Sequence, residues 1–188
     1  MIPSVKECVA LMEVYGMLDN IKAHSTIVEK VANIIARGVK EAGSSISLEK
    51  VIAGALMHDI GKTLCLDSPH DHAVKGKEIC INNNFTEIAE IVGEHIRLMS
   101  YDPEGEINEK EIIYYADKRV NHDKVVSLEK RLEYLLDRYA KDEESLGQRI
   151  EENFRLCRKV EKKLFADLTF GPEDLERLVN QTDNIDSK

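Results

Sequence analysis

Residues 47–62 run Ser-Leu-Glu-Lys-Val-Ile-Ala-Gly-Ala-Leu-Met-His-Asp-Ile-Gly-Lys, the pattern of a capped helix that ends on a polar pair. Ser47 is a good N-cap, because its hydroxyl can accept one of the orphan N–H groups of a first helical turn. Val51, Ala55 and His58 then recur at spacings of four and three, which places them on one stripe of a helix. Gly61 is the expected stop. Adjacent side chains on a helix differ in direction by about 100°. His58 and Asp59 can therefore serve one site only where the helix is ending.

The same periodicity extends outward in both directions. Upstream, Val5, Val9, Leu11 and Met12 predict a short helix after Pro3, and Asn20 is the expected cap of a longer one. That helix carries Ile21, His24, Val28, Val31 and Ile35 on one stripe and ends near Gly43. Downstream, Asp67-Ser-Pro-His-Asp reads as a loop, with helix resuming to about Asn82. Thr86 to Arg97 repeats the pattern with Ile88, Ile91, Val92 and His95. After the loop Asp102-Pro-Glu-Gly-Glu, Asn108 is expected to cap a helix containing Ile112, Ile113, Asp117 and Val120. From Ser127 the chain is charged and amphipathic, with stripes of Leu128, Leu132, Leu135 and Leu136, then Ile150, Phe154, Cys157 and Leu164. Asp142-Glu-Glu reads as a solvated helix start, and Pro172 opens a last short helix. The expectation is an all-α helical bundle forming a single domain over 1–188. Its core spans 20–140, its C-terminal helical extension 141–180, and 181–188 is a loose tail.

Composition narrows the function classes. The chain has 188 residues, 26 Lys plus Arg against 35 Asp plus Glu, and a formal charge of −9. An acidic chain lacks the positive field that nucleic acid or anionic membrane requires, so neither is an expected partner. Trp is absent and aromatic residues are only 5%, which favours helices over strands. No run approaches the ~20 apolar residues of a membrane span. Cys8, Cys65, Cys80 and Cys157 are far apart with no C-x-x-C pair, so a reduced, cytoplasmic chain is expected.

The histidines carry the chemistry. His24, His58, His95 and Asp117 each fall on the apolar stripe of a different helix, with His72 on a stripe too short to judge. One inward histidine is ordinarily a hydrogen-bonded core residue. Several on separate helices are another matter, since each unpaired buried polar group costs on the order of 1–3 kcal/mol and a carboxylate more. A shared divalent metal satisfies them together, accepting imidazole lone pairs and neutralising carboxylates. A set of imidazoles and carboxylates without thiolate suits Fe, Mn, Co, Ni or Zn better than Mg or Ca.

His24, then His58-Asp59, then Asp117, in that order on helices, resembles the HD-domain superfamily of metal-dependent phosphohydrolases. His58-Asp59-Ile60-Gly61-Lys62 is similar to the fuller signature of its HDIG branch. The resemblance spans roughly residues 20–140 and implies that His24, His58, Asp59 and Asp117 hold one metal. Members with two further histidines hold a second, and His72 and His95 match those positions. It thus implies two divalent metals bridged by Asp59, and hydrolysis by a metal-bridging hydroxide. The Gly-Tyr-Pro motif of the cyclic-di-nucleotide branch is not found after Asp117, where Ala116-Asp117-Lys118-Arg119 stands, which argues against cyclic-di-GMP. The arrangement is also similar to the symmetrical dinucleoside tetraphosphatases, which carry a lysine soon after the His-Asp pair, as Lys62 is here.

Lys62, Lys118 and Arg119 lie beside proposed ligands in an acidic chain, which suggests an anionic substrate. The expectation is a phosphohydrolase of a nucleotide or other small phosphate ester, such as a dinucleoside polyphosphate. Asp59 and Lys62 would be catalytic, and Lys62, Lys118, Arg119 and His122 would contact substrate. Arg97 and Glu94 are read as structural, and His70 as solvent-facing. Two rivals use the same residues: a di-iron oxygenase on the same scaffold, and a non-catalytic nucleotide- or metal-sensing module. The stripes after residue 127 would either pack on the core or form a homo-oligomer face.

Overall fold

The computed structural model describes residues 1–68, 70–141 and 143–186, with side chains described up to Thr182. The loop reading at Pro69, the helix start at Asp142 and the last two residues of the expected tail lie outside the described residues. The chain is built from helices, as the periodicity requires: α1 (Val5–Val14), α2 (Asp19–Glu41), α3 (Leu48–Met57), α4 (His72–Asn82), α5 (Thr86–Glu94), α6 (Glu109–Lys118), α7 (Leu128–Tyr139), α8 (Glu144–Leu164) and α9 (Leu175–Asp186). Single 3-10 turns at Thr63–Cys65 and Pro172–Asp174 join them. Among the described residues no helix is long and apolar enough to cross a membrane.

Side-chain caps set many of the helix starts. The hydroxyls of Ser4, Ser47 and Ser127 and the side chains of Asp71 and Asn108 each accept a backbone N–H in the first turn. At α2 the expectation of an Asn20 cap is corrected: Leu18 is the N-cap and makes no side-chain cap bond. The Leu18 N–H donates instead to Thr63 Oγ1, tying the start of α2 to the turn after α3.

α2 is the central helix and packs against α3, α6 and α9. Val28, Val31 and Ile35 of α2, Val51 and Ala55 of α3, and Ile112 and Ile113 of α6 are completely buried between them. α4 packs on α5, which lies against α3, and α7 and α8 form a second pair, α8 lying on α6.

Three further expectations are corrected. Gly61 does not end α3 by a left-handed turn, since its φ is not positive. A Cβ there would lie 2.4 Å from the His72 carbonyl oxygen and 2.7 Å from the Gly76 nitrogen, so glycine is needed for α4 to approach. Second, α6 stops at Lys118, and Val120–Asn121 (β1) pairs antiparallel with Lys124–Val125 (β2) in a small hairpin. Val120 is therefore a buried strand residue and not a helical one. Third, α9 continues to Asp186, so 181–186 is helical rather than a loose tail.

Candidate metal centre

Helix ends create the site. His58 is the C-cap of α3, His95 the C-cap of α5, and Asp117 lies in the last turn of α6. His72 is the first residue of α4, and His24 sits in the second turn of α2. α5 ends at Glu94 and does not run to Arg97, which is what lets His95 turn inward. A helix C-terminus carries roughly half a negative charge, so three such ends converging beside two carboxylates attract a cation.

The hydrogen bonds assign the tautomers. Nδ1 of His58 faces the Ala55 carbonyl at 2.7 Å, Nδ1 of His95 the Val92 carbonyl at 2.7 Å, and Nδ1 of His24 the His122 carbonyl at 2.9 Å. A carbonyl only accepts, so each Nδ1 must donate, and a neutral ring then presents a bare lone pair at Nε2. Those lone pairs point at carboxylate oxygens. His24 Nε2 is 3.1 Å from Asp117 Oδ1, and His58 Nε2 is 3.5 Å from Asp59 Oδ2 and 3.7 Å from Asp117 Oδ1. His95 Nε2 is 3.5 Å from Asp59 Oδ1, and His72 Nε2 is 3.1 Å from the same oxygen. Among the described residues His58 Nε2 has no hydrogen-bond partner, and it is fully buried. Acceptors facing acceptors in a buried site call for a cation, and this donor set fits a divalent transition metal.

The two oxygens of Asp59 divide these groups. Oδ2 faces His58 and Lys62, and Oδ1 faces His72 and His95. Two overlapping sets result whose donor atoms lie within 4.8 Å of one another and could hold a metal ion: His24, His58 and Asp59, and Asp59, His72 and His95. Asp117 joins the first through its contacts with His24 and His58. His70 is exposed, so His72 and not its neighbour is the histidine of the cluster.

The two carboxylates draw positive charge into the cluster, from a protonated ring where no other cation is bound. Burial works against a charge on Asp59, yet the surrounding imidazoles hold its carboxyl well below the usual range. Asp117 is held low in the same way, by Lys118 and His24 against the effect of burial. Burial pushes the His95 imidazolium down to about 4, so this ring is neutral. On His58 burial is again the largest influence, but the carboxylates of Asp59 and Asp117 outweigh it and favour positive charge at that ring.

The predicted cations separate into three kinds. Lys62 Nζ is 2.7 Å from Asp59 Oδ2 and borders the cavity. Lys118 also lines the cavity but is buried and anchored, donating to the His95 carbonyl at 2.6 Å and to Asp117 Oδ2 at 3.3 Å. The substrate-contact reading of Arg119 is corrected. Its guanidinium is buried on the other side of α6, donating to Tyr115 Oη, the Val126 carbonyl and the Pro172 carbonyl, with Glu161 at 3.4 Å. His122 is corrected as well. Its ring is exposed and packs edge-on against Tyr134, while its backbone, in a left-handed conformation at φ 56°, supplies the carbonyl that orients His24. Glu94 is structural, bridging Lys110 and the Met99 N–H, and Arg97 is exposed.

The centre opens into a cavity of about 520 Å³. Beyond the ligands and the two lysines its wall is made by Cys65, Leu66, His70 and Ile96 and by α7 and α8, including Arg131, Leu135, Leu146 and Ile150. Arg131 was not singled out from the sequence. A signal existed, because it lies three residues after Leu128 and four before Leu135, a cation within an apolar stripe.

Comparison with known proteins places this geometry. Over 153 residues the chain is 30% identical to a tRNA (cytidine(56)-2'-O)-methyltransferase of Picrophilus torridus, a match covering 73% of this chain and 41% of that protein. The chain therefore spans about two fifths of that relative's length. No solved structure matches the chain. The HD domain family model matches residues 21–122, a segment that begins just before His24 and ends just after Asp117. With more than half of its length and every histidine and aspartate of the buried cluster inside that match, the chain belongs to the HD-domain family.

Proposed function

We propose that this protein is a metal-dependent phosphohydrolase acting on a nucleotide or other small phosphate ester. In this reading His24, His58, Asp59 and Asp117 hold one divalent transition-metal ion, and Asp59, His72 and His95 hold a second. The observation that carries it is the buried, unpartnered His58 Nε2 among imidazoles whose Nδ1 protons are already committed to backbone carbonyls. Metal ions at such a site supply Lewis-acid polarisation of a phosphoryl oxygen and lower the pKa of water.

The chain's own groups do the rest. Lys62 carries its ammonium on a flexible stem at the edge of the cavity, where it can turn from Asp59 to a phosphoryl oxygen and stabilise charge developing there. Lys118 is too deeply anchored to follow a substrate, and its role is to position Asp117 and the His95 carbonyl. The carbonyls of Ala55, Val92 and His122 fix ring orientation and raise the basicity of each Nε2, as outer partners of metal-binding histidines do. The methyltransferase named among the relatives is matched over only part of its length, and the reading offered for this chain rests on the cluster itself.

The test is hydrolysis of a panel of phosphomonoesters, cyclic nucleotides and dinucleoside polyphosphates with Mn, Fe, Co, Ni and Zn each supplied to the metal-stripped chain. Metal-dependent phosphate release, abolished together with metal content in Asp59→Ala, is expected. Full metal occupancy in that variant, or turnover that requires dioxygen and releases no phosphate, would overturn the reading.

A further inference from the structure

Three cations border the cavity, and they differ in one respect. Lys62 is ion-paired with Asp59 and Lys118 with Asp117. Arg131 is different: among the described residues no carboxylate lies within ion-pairing distance of its guanidinium. Its partners are neutral, the Asn121 side-chain oxygen at 2.7 Å and the face of the Tyr134 ring at 5.6 Å. Asn121 belongs to the hairpin that also carries the His122 carbonyl. One hairpin thus orients both a histidine of the buried cluster and an arginine that borders the cavity. A half-buried guanidinium held by one N–H leaves four further donors in a planar fork, the geometry that matches a phosphate.

The rest of the α7–α8 wall has another character. Leu135 on α7 and Leu146 and Ile150 on α8 are partly buried and border the cavity. Asn153, a polar residue beside them, has its amide committed, donating to the Ile96 carbonyl and accepting from Tyr114. Both α7 and α8 lie beyond residue 122, outside the matched family segment.

We infer that Arg131 is a specificity-determining residue that binds the phosphate of the substrate, and that the α7–α8 wall accepts an apolar or aromatic group attached to it. The substrate class is then a phosphate monoester with one charged end and one flat apolar end. Among the described residues Leu135, Leu146 and Ile150 have no further lysine or arginine beside them on the cavity wall for a second phosphate, which disfavours a dinucleoside polyphosphate. The inference rests on the phosphohydrolase reading for its chemistry but not for its binding, so the two can fail separately.

Calorimetric titration of the full chain, with Mn at fixed saturating concentration, uses inorganic phosphate, 1-naphthyl phosphate and 1-naphthol as probes. In the wild type 1-naphthyl phosphate is expected to bind at least about tenfold tighter than phosphate, since burying a bicyclic ring removes a large apolar area from water. Arg131→Gln should weaken phosphate and 1-naphthyl phosphate alike by about tenfold or more, the scale of a lost charge-assisted hydrogen bond, and leave 1-naphthol unaffected. Leu135→Asn should weaken 1-naphthyl phosphate and spare phosphate. Metal content and helical circular dichroism should match the wild type in both variants. Equal wild-type affinities for phosphate and 1-naphthyl phosphate would overturn the inference without any variant, as would an Arg131→Gln protein that folds and binds both as before. If these binding patterns hold while no metal supports phosphate release from any substrate, the pocket assignment stands and the hydrolytic reading fails.

Discussion

Replacing Gly61 by alanine tests whether the turn after His58-Asp59 is shaped by the approach of α4. The added Cβ would stand 2.4 Å from the His72 carbonyl oxygen and 2.7 Å from the Gly76 nitrogen, where ordinary contact begins near 3.4 Å. Both obstacles are backbone, so no rotamer change relieves them, and the start of α4 must retreat by about 1 Å. Such overpacking costs typically 1–3 kcal/mol. With a urea slope near the upper end of about 1–3 kcal/mol per molar, a 2 kcal/mol loss moves the midpoint by about 0.7–1 M. The functional effect should be larger than the loss of stability suggests. His72 Nε2 stands 3.1 Å from Asp59 Oδ1, and metal-ligand distances tolerate only about 0.2 Å. A 1 Å retreat therefore removes His72 from its set, and elemental analysis should show a fall in bound metal. Gly93→Ala is the control. The three atoms nearest its Cβ all belong to the Lys77 side chain, and the closest, Cδ at 2.9 Å, is on a flexible stem that can swing aside. Gly93 is in the last turn of α5, where alanine is favoured over glycine by at most the roughly 1 kcal/mol of a helix interior, so this variant should be near neutral. A Gly61→Ala protein with wild-type midpoint and metal content would refute the reasoning, as would equal damage from Gly93→Ala.

Other consequences follow from the same contacts. Arg119→Met should lower stability by roughly 3–5 kcal/mol, because it strips a buried cation from Tyr115, Glu161 and two carbonyls. Under folding conditions it should retain metal, and a denaturation curve matching wild type would place Arg119 at the surface. Lys62→Met should keep full metal content and lose turnover by roughly a hundredfold or more, as when one preorganised charge-stabilising donor is removed. A change confined to KM would make Lys62 a recognition group, and unchanged kinetics would leave it a helix-end cation. Burial pushes the Cys8, Cys80 and Cys157 thiols up to about 12, whereas Cys65 is partly exposed. A chromogenic thiol reagent at pH 8 should label Cys65 rapidly and the other three only after denaturation. Rapid labelling of all four in the native chain would contradict that burial.

Most of the ligand cluster was legible in the order of residues along the chain. Each of His24, His58 and His95 interrupts an apolar stripe, and a stripe identifies the buried face of a helix whatever packs on it. The helix starts at Ser47, Asn108 and Ser127 were equally legible, because a cap is a local bond between a side chain and a nearby N–H. Local rules failed where direction depends on a distant partner. Residues 112–116 of α6 are all completely buried, so this helix has no polar face from which to infer where Lys118 and Arg119 point. Adjacent in sequence, they diverge in space, one to the metal-type cluster and the other into the packing of α8 and the Pro172 turn. His122 contributes its backbone rather than its ring, because the chain leaves helical geometry after Lys118 and turns through a positive φ. Gly61 was read as a helix stop from its neighbours alone, although its constraint comes from the carbonyl of His72, eleven residues on. Arg131 owes its importance to what is not beside it, a carboxylate, and that is a property of the folded surroundings. Periodicity reports which way a side chain faces relative to its own helix. Whether that direction leads to a metal site, a substrate cavity or a buried ion pair is set by which other elements meet there, and only the tertiary structure brings them together.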